Sequence, residues 1–230
     1  QNKKILMLYS FYHQLYRGSN KVVFQNHKML DKFINKNPFV ARKSTVLKNP
    51  VSVNFDLKSY KSNEKSIVMI GRLNNNKNQI LALKLIKNLM DKKNLNVKLD
   101  IYGQGPLKEF LSKYIIENKL EKKIKIITKY HSVKEIFKKK YSIFLHLSFF
   151  EGFPNVILEA ANYMIPTIIT TNCAGGLNKI PKIIFVKNEL NDLVNVVEMQ
   201  LKNKQNFSKY YKSYLIENHN VKIFTEKLLK

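Results

Sequence analysis

A chain of 230 residues, 44% of them hydrophobic, is long enough to bury one full core and part of a second. Its single cysteine, Cys173, excludes a disulfide framework and fits a reducing, cytoplasmic compartment. The net charge of +25 admits nucleic acid or an anionic membrane surface as a partner, but the cations are nearly all lysine, with arginine only at 17, 42 and 72. A compositional bias toward Lys, Asn, Ile and Tyr produces that pattern equally well.

The run KKILMLY at 3–9 has the basic-then-apolar order of a secretory signal, yet it breaks at Ser10 and His13 with no small-residue cleavage site, so no signal is expected. KVVFQNHKMLDKFI at 21–34 reads as a strand followed by a helix, and STVLKNPVSV at 44–53 as a strand entering a turn at Asn49 and Pro50. Residues 1–55 are read as a remnant of a preceding, acceptor-side domain and its linker. From Ser66 onward, strand-like runs at 66–70, 97–102, 124–127, 141–147, 166–170 and 182–186 alternate with helical patterns, clearest at 79–90 and 107–120. Six β/α units predict an α/β fold, a Rossmann-like doubly wound parallel sheet, over 56–205. Residues 206–230 are helical in pattern and are expected to pack toward the N-terminal domain. The longest later apolar run, YSIFLHLSFF at 141–150, is too short to span a bilayer and is interrupted by His146, so no transmembrane segment is expected.

In such sheets ligands bind beyond the carboxyl ends of the strands. The loops falling there are GRLNNNK, YGQGP, SFFEGFPN and TNCAGG, which carry the unusual glycine-bearing stretches of the domain. Arg72 presents a planar fork to phosphate oxygens and Lys77 a point charge, both directly after the first strand and Gly71. In EGFPNVILEA at 151–160 a buried strand ends, Gly152 turns the chain, and Pro154 suits the first turn of a helix whose opening N–H groups, at Asn155, Val156 and Ile157, form an anion site. Glu151 and Glu159 bracket that helix start, where each is placed to accept hydrogen bonds from sugar hydroxyls. A favourable interaction with the helix dipole is the plainer role for either alone. With no Asp-x-Asp pair and no His/carboxylate cluster at metal-ligand spacing, neither a metal nor another cofactor is expected.

GRLNNNK, YGQGP and EGFPNVILEAANYMIPTIITTNCAGG, in this order and spacing, resemble the C-terminal half of glycosyltransferase family four, of the GT-B fold. The resemblance covers about 66–180 well, and 21–56 and the C-terminal helices more weakly. It implies metal-independent, retaining transfer of a sugar from a nucleoside diphosphate to a glycan or lipid-linked acceptor. The basic charge is then expected to serve docking at the inner face of the plasma membrane, where lipid-linked acceptors reside. Carried over residue by residue, Arg72 and Lys77 hold the donor diphosphate, Glu151 the sugar and Glu159 the ribose. Gly71, Gly103, Tyr130, Gly152, Phe153, Asn155 and Val156, in the loops and helix start on the same edge, are expected to complete the donor site. Glu151, Arg72 and Lys77 are the catalytic candidates. The chain departs from the family at Lys129–Tyr130–His131, where a glycine is common, at Lys179, where a glutamate is common, and in lacking the length of a first domain. On that reading this segment alone transfers little or no sugar.

Two other readings remain: a GT-B epimerase acting on the same donor, and a basic nucleic-acid-binding module. Against the second, the charge is spread along the chain and no nucleic-acid recognition motif occurs.

Overall fold

The computed structural model describes residues 14–52, 62, 65–173, 177–181, 183–203 and 208–229. The apolar run at 3–9, the boundary at 55–56, and Gly175 and Gly176 lie outside these. The chain divides into two units, Gln1–Pro50 with Val221–Lys230, and Val51–Asn220.

In the smaller unit, β1 (Val22–Phe24) pairs in parallel with β2 (Ser44–Val46). The helix between them, α1 (His27–Ile34), is started by Asn26, whose side-chain oxygen accepts from the Met29 N–H at 2.9 Å. Val22, Phe24 and Val40 are buried against Phe33, whose ring meets Tyr16 edge-on at 4.8 Å. The helix Val221–Leu229 belongs to the same unit.

The larger unit is built on six parallel strands: β3 (Ser66–Ile70), β4 (Lys98–Tyr102), β5 (Ile124–Ile127), β6 (Ile143–His146), β7 (Thr167–Thr170) and β8 (Ile184–Val186). All six fall inside the runs expected from sequence, and the fold class is the expected one. Strands buried on both faces need apolar residues at successive positions, as in IFLH of β6 and TIIT of β7. On one face, Ile67, Leu99, Ile101, Leu145 and Ile168 pack under α2 (Gln79–Asp91), α3 (Lys108–Glu117) and, later in the chain, Leu193, Val197 and Leu201. On the other, Val68, Phe144 and Ile169 pack under α4 (Val133–Phe137) and α5 (Asn155–Asn162). The helix carrying Leu193 is α6 (Leu190–Lys202), and it is followed by α7 (Ser208–Asn218).

Strand order is β5-β4-β3-β6-β7-β8. From β3 the chain builds outward through β4 and β5, then returns to place β6 on the other side of β3 and continues through β7 and β8. The direction of winding therefore reverses between β3 and β6, whose registers are tied by Met69 opposite Leu145. The crevice at such a reversal is where doubly wound sheets receive ligands. Among the described residues no helix is long and apolar enough to cross a membrane.

The helix α7 packs against α5 and contributes Tyr211 and Leu215 to the second core, with the Tyr211 hydroxyl hydrogen-bonded to Thr167 at the start of β7. Tyr211 is fully buried. Tyr211→Ala is expected to lower stability by about 3–5 kcal/mol, and Tyr211→Phe, which gives up only the hydroxyl bond, by about 1 kcal/mol, as read from urea unfolding midpoints.

Candidate functional site

The loops leaving β3 and β6 meet at the crevice, and one asparagine joins them. The Phe149 N–H donates to the Asn76 carbonyl at 2.8 Å, the Phe150 N–H to Asn76 Oδ1 at 3.0 Å, and Asn76 Nδ2 to the Phe150 carbonyl at 2.9 Å. The β3 loop is itself set by local caps. Asn74 accepts from the Lys77 N–H at 3.1 Å, Asn78 takes the left-handed conformation with φ 52°, and Gln79 Nε2 donates to the Arg72 carbonyl at 2.9 Å. Asparagine is the non-glycine residue that best tolerates that backbone region.

Lys77 is thereby placed against Glu151, 74 positions away in sequence, and the two form an ion pair with each side chain about one-fifth exposed. His146 at the end of β6 stands behind them, its Nε2 3.7 Å from Glu151 Oε1 and 3.3 Å from Ser148 Oγ. Its ring is buried, and that removal from water, with the Lys77 ammonium adding to it, pulls its pKa from 6.5 down to about 4 against the opposing Glu151 carboxylate. The pair therefore rests on a neutral imidazole at physiological pH. The carbonyl of Ser148 is fixed from below by the Thr170 hydroxyl at 2.6 Å and by Cys173 Sγ at 3.0 Å. Sequence reasoning missed both Asn76 and His146 as site residues. His146 carried a signal, a polar side chain inside an otherwise apolar strand, while Asn76 is one of three consecutive asparagines and carried none.

Beyond Glu151, Gly152 turns the chain into α5. Pro154 is the residue before the helix rather than its first, with φ −79° and ψ 103°, and having no side-chain acceptor it leaves the first turn without a side-chain cap. The Ile157 N–H, expected to face a ligand, instead donates to the Pro154 carbonyl at 3.1 Å. Asn155 is exposed at the helix start and Val156 is partly buried behind it. Phe153 turns inward and stacks on His219 with ring centres 6.0 Å apart, so its contribution is to hold the turn. Glu159 lies within α5, half-buried, and its burial raises its pKa.

A cavity of about 410 Å³ opens beside this cluster, over the ends of β3, β4 and β5. Gly71, Gly103 and Tyr130 all line it, with Tyr102, Lys129 and His131. Its volume is in the range of small-ligand pockets. The segment Lys129–His131, where the chain departs from the family pattern, forms one wall, with the exposed Tyr130 ring at the rim and the His131 ring edge-on to Tyr102 at 5.7 Å. Gly103 is required here, because a Cβ at this position would fall 2.0 Å from the Gly71 carbonyl oxygen. At Gly71 a Cβ would press on the Lys77 stem at 3.2 Å. Arg72, the residue after Gly71, is exposed and makes no ion pair with a described carboxylate. Among the described residues no three His, Cys, Asp or Glu side chains gather as a metal cage.

Residues 54–214 match the family model described as glycosyl transferases group 1. A Campylobacter jejuni alpha-1,4-N-acetyl-D-galactosaminyltransferase, whose name gives a diNAcBac-PP-undecaprenol acceptor, is 31% identical over 144 residues, which are 62% of this chain and 39% of that protein. An uncharacterized glycosyltransferase of Methanocaldococcus jannaschii is 31% identical over 113 residues, 49% of this chain and 27% of that one. The chain thus spans well under half the length of these relatives. Among solved structures, a variant of S. aureus TarM in complex with Fondaparinux, alpha-GlcNAc-glycerol and UDP superposes with a TM-score of 0.82 at 19% identity, over 96% of this chain and 45% of TarM. Anabaena HepE, in complex with UDP and glucose, superposes with a TM-score of 0.78 at 15% identity, over 93% of this chain and 63% of HepE.

Two consequences of the geometry are measurable. Asn76→Ala removes both side-chain bonds between the loops. It is expected to cost about 1–2 kcal/mol and to speed hydrogen exchange at the Phe150 amide, with the β4 and β5 amides unchanged. For His146 the sign follows from linkage: the unfolded chain takes a proton near pH 6.5 that the fold refuses until about pH 4, so the fold loses stability as the pH falls. The loss assigned to this group is roughly 3 kcal/mol between those limits and is absent above them. His146→Asn is expected to flatten that part of the stability-versus-pH curve.

Proposed function

We propose, for a chain that belongs to the glycosyl transferases group 1 family, that the crevice between β3 and β6 binds the diphosphate and sugar of a nucleoside-diphosphate sugar and that the adjoining cavity receives its nucleoside. The observation that carries this reading is the Lys77–Glu151 pair, a cation and a carboxylate brought together at the winding reversal beside a helix start without a side-chain cap. Cleavage of the sugar–phosphate bond leaves negative charge on the departing diphosphate, and rate follows from groups that stabilise that charge more in the transition state than before it. Lys77 supplies such a charge on release from Glu151, Arg72 supplies a second, and the first N–H groups of α5 supply a partial one. Glu151, once its oxygens are freed, accepts from sugar hydroxyls, and Glu159 accepts from the ribose.

The reaction proposed is a retaining transfer through an oxocarbenium-like transition state, without a metal, to a glycan or lipid-linked acceptor. The undecaprenol-linked acceptor named for the Campylobacter relative supports the acceptor class. UDP in the TarM and HepE complexes supports a nucleoside diphosphate as the leaving group.

Calorimetry with UDP, GDP and ADP tests the donor site. Weak binding of at least one is expected in the wild-type chain, with a loss of roughly tenfold or more in Lys77→Ala, since a hydrogen bond to a charged group contributes about 1.5–3 kcal/mol. No heat of binding at millimolar nucleotide, for any of the three, would count against the reading.

A further inference from the structure

A second cavity, of about 520 Å³, lies at the opposite edge of the same sheet, against the N-terminal ends of β3, β4 and β5 and the segment entering β6. One strand length, about 16 Å at the usual rise per residue, separates the two edges. Five of its nine described lining residues are lysines: Lys98 at the start of β4, Lys122, Lys123 and Lys125 around the start of β5, and Lys139 before β6. Across the chain Lys and Arg together are 41 of 230 residues, so the composition by itself does not place five cations around one concavity.

The short helix α4 carries its buried residues, Ile136 and Phe137, into the second core and leaves this corner of the sheet face to polar side chains. Several of those side chains are tied in place. Lys123 Nζ donates to Asn96 Oδ1 at 2.6 Å, and Lys139 Nζ donates to the Tyr102 hydroxyl at 2.6 Å, a bond that raises the Lys139 pKa and keeps it charged. Among the described residues the lining has one carboxylate, Asp100, which accepts from the Tyr141 hydroxyl at 2.5 Å. Several ammonium groups around one concavity give it a positive potential that attracts an anion. Lysine is a point charge rather than a fork, which suits phosphate, and among the described residues Tyr141 is the one aromatic in the lining, in contrast to the cavity beside Tyr130 and His131.

We propose that this cavity is a second anion site, separate from the donor crevice, which takes a phosphate-bearing ligand: a soluble pyrophosphate or phosphate ester, or the headgroup of an anionic lipid. The test is a titration of the isotope-labelled full chain with inorganic pyrophosphate, followed residue by residue in amide NMR spectra, beside sedimentation with phosphatidylcholine vesicles made with and without phosphatidylglycerol. Amide shifts at Lys98, Lys122–Lys125 and Lys139, weakened roughly tenfold or more in the K98Q/K122Q/K125Q variant, establish the site and a soluble ligand. Vesicle binding that needs phosphatidylglycerol and is lost in that variant, without pyrophosphate shifts there, establishes the site and a lipid headgroup. In either case Lys77→Ala leaves the signal unchanged, which separates this site from the donor crevice. Shifts confined to Gly71–Lys77 and the start of α5, or pyrophosphate and vesicle binding that are absent or the same in wild type and variant, overturn the proposal.

Discussion

The candidate site depends on one contact between distant loops, the seat of Asn76 on the backbone of Phe149 and Phe150. Lys77 and Glu151 each stand next to that clamp in sequence, so fixing it fixes them. Two long, flexible side chains meeting at a surface gain little from Coulomb attraction once solvent screening and lost rotamer freedom are counted. Here the backbone has already met much of the ordering cost. On the proposed function the pair is a stored arrangement, a cation and an acceptor held ready for a ligand's charge, rather than a source of stability.

Behind the clamp, the parallel sheet dictates where the loops emerge. β3 and β6 are neighbours only because the winding reverses, and the crevice it opens is flanked by an unbroken apolar layer on each face, Leu145 on one side and Phe144 on the other. His146, the last residue of β6, carries that buried support up to the ion pair as a neutral ring. A protonated imidazole there would add a positive charge beside Lys77 and compete for Glu151, so its burial as a neutral ring leaves the carboxylate paired with the lysine alone. The same burial is what makes the fold sensitive to acid.

Much of this was legible from residues alone. IKII became β5 at its expected bounds, the SIVMI run became β3, and the periodic stretches from Gln79 and Leu107 became helices, because hydrophobic periodicity records burial directly. The loops bearing Gly71, Gly103 and Glu151 were found on one edge for the same reason. What periodicity does not record is which loop touches which. Strand order is set by crossover connections, and so the neighbourhood of Lys77 and Glu151, and the role of Asn76, had no local signature. Pro154 moved one position outward, to the residue before α5, since its extended ψ serves the turn from Gly152 better than the helix. Phe153 stacks on the His219 ring, a contact between residues 66 positions apart that sequence alone does not show. The five lysines of the second cavity, scattered from 98 to 139 in sequence, read one at a time as ordinary surface charges.

The measurement that bears most directly on the central claim is a crystal structure of this chain grown with UDP. The account predicts the diphosphate within hydrogen-bond distance of Lys77 Nζ and the first turn of α5, with the Lys77–Glu151 pair opened and the uracil in the cavity beside Tyr130 and His131. A nucleotide bound away from the β3–β6 crevice, with Lys77 still paired to Glu151, would contradict it.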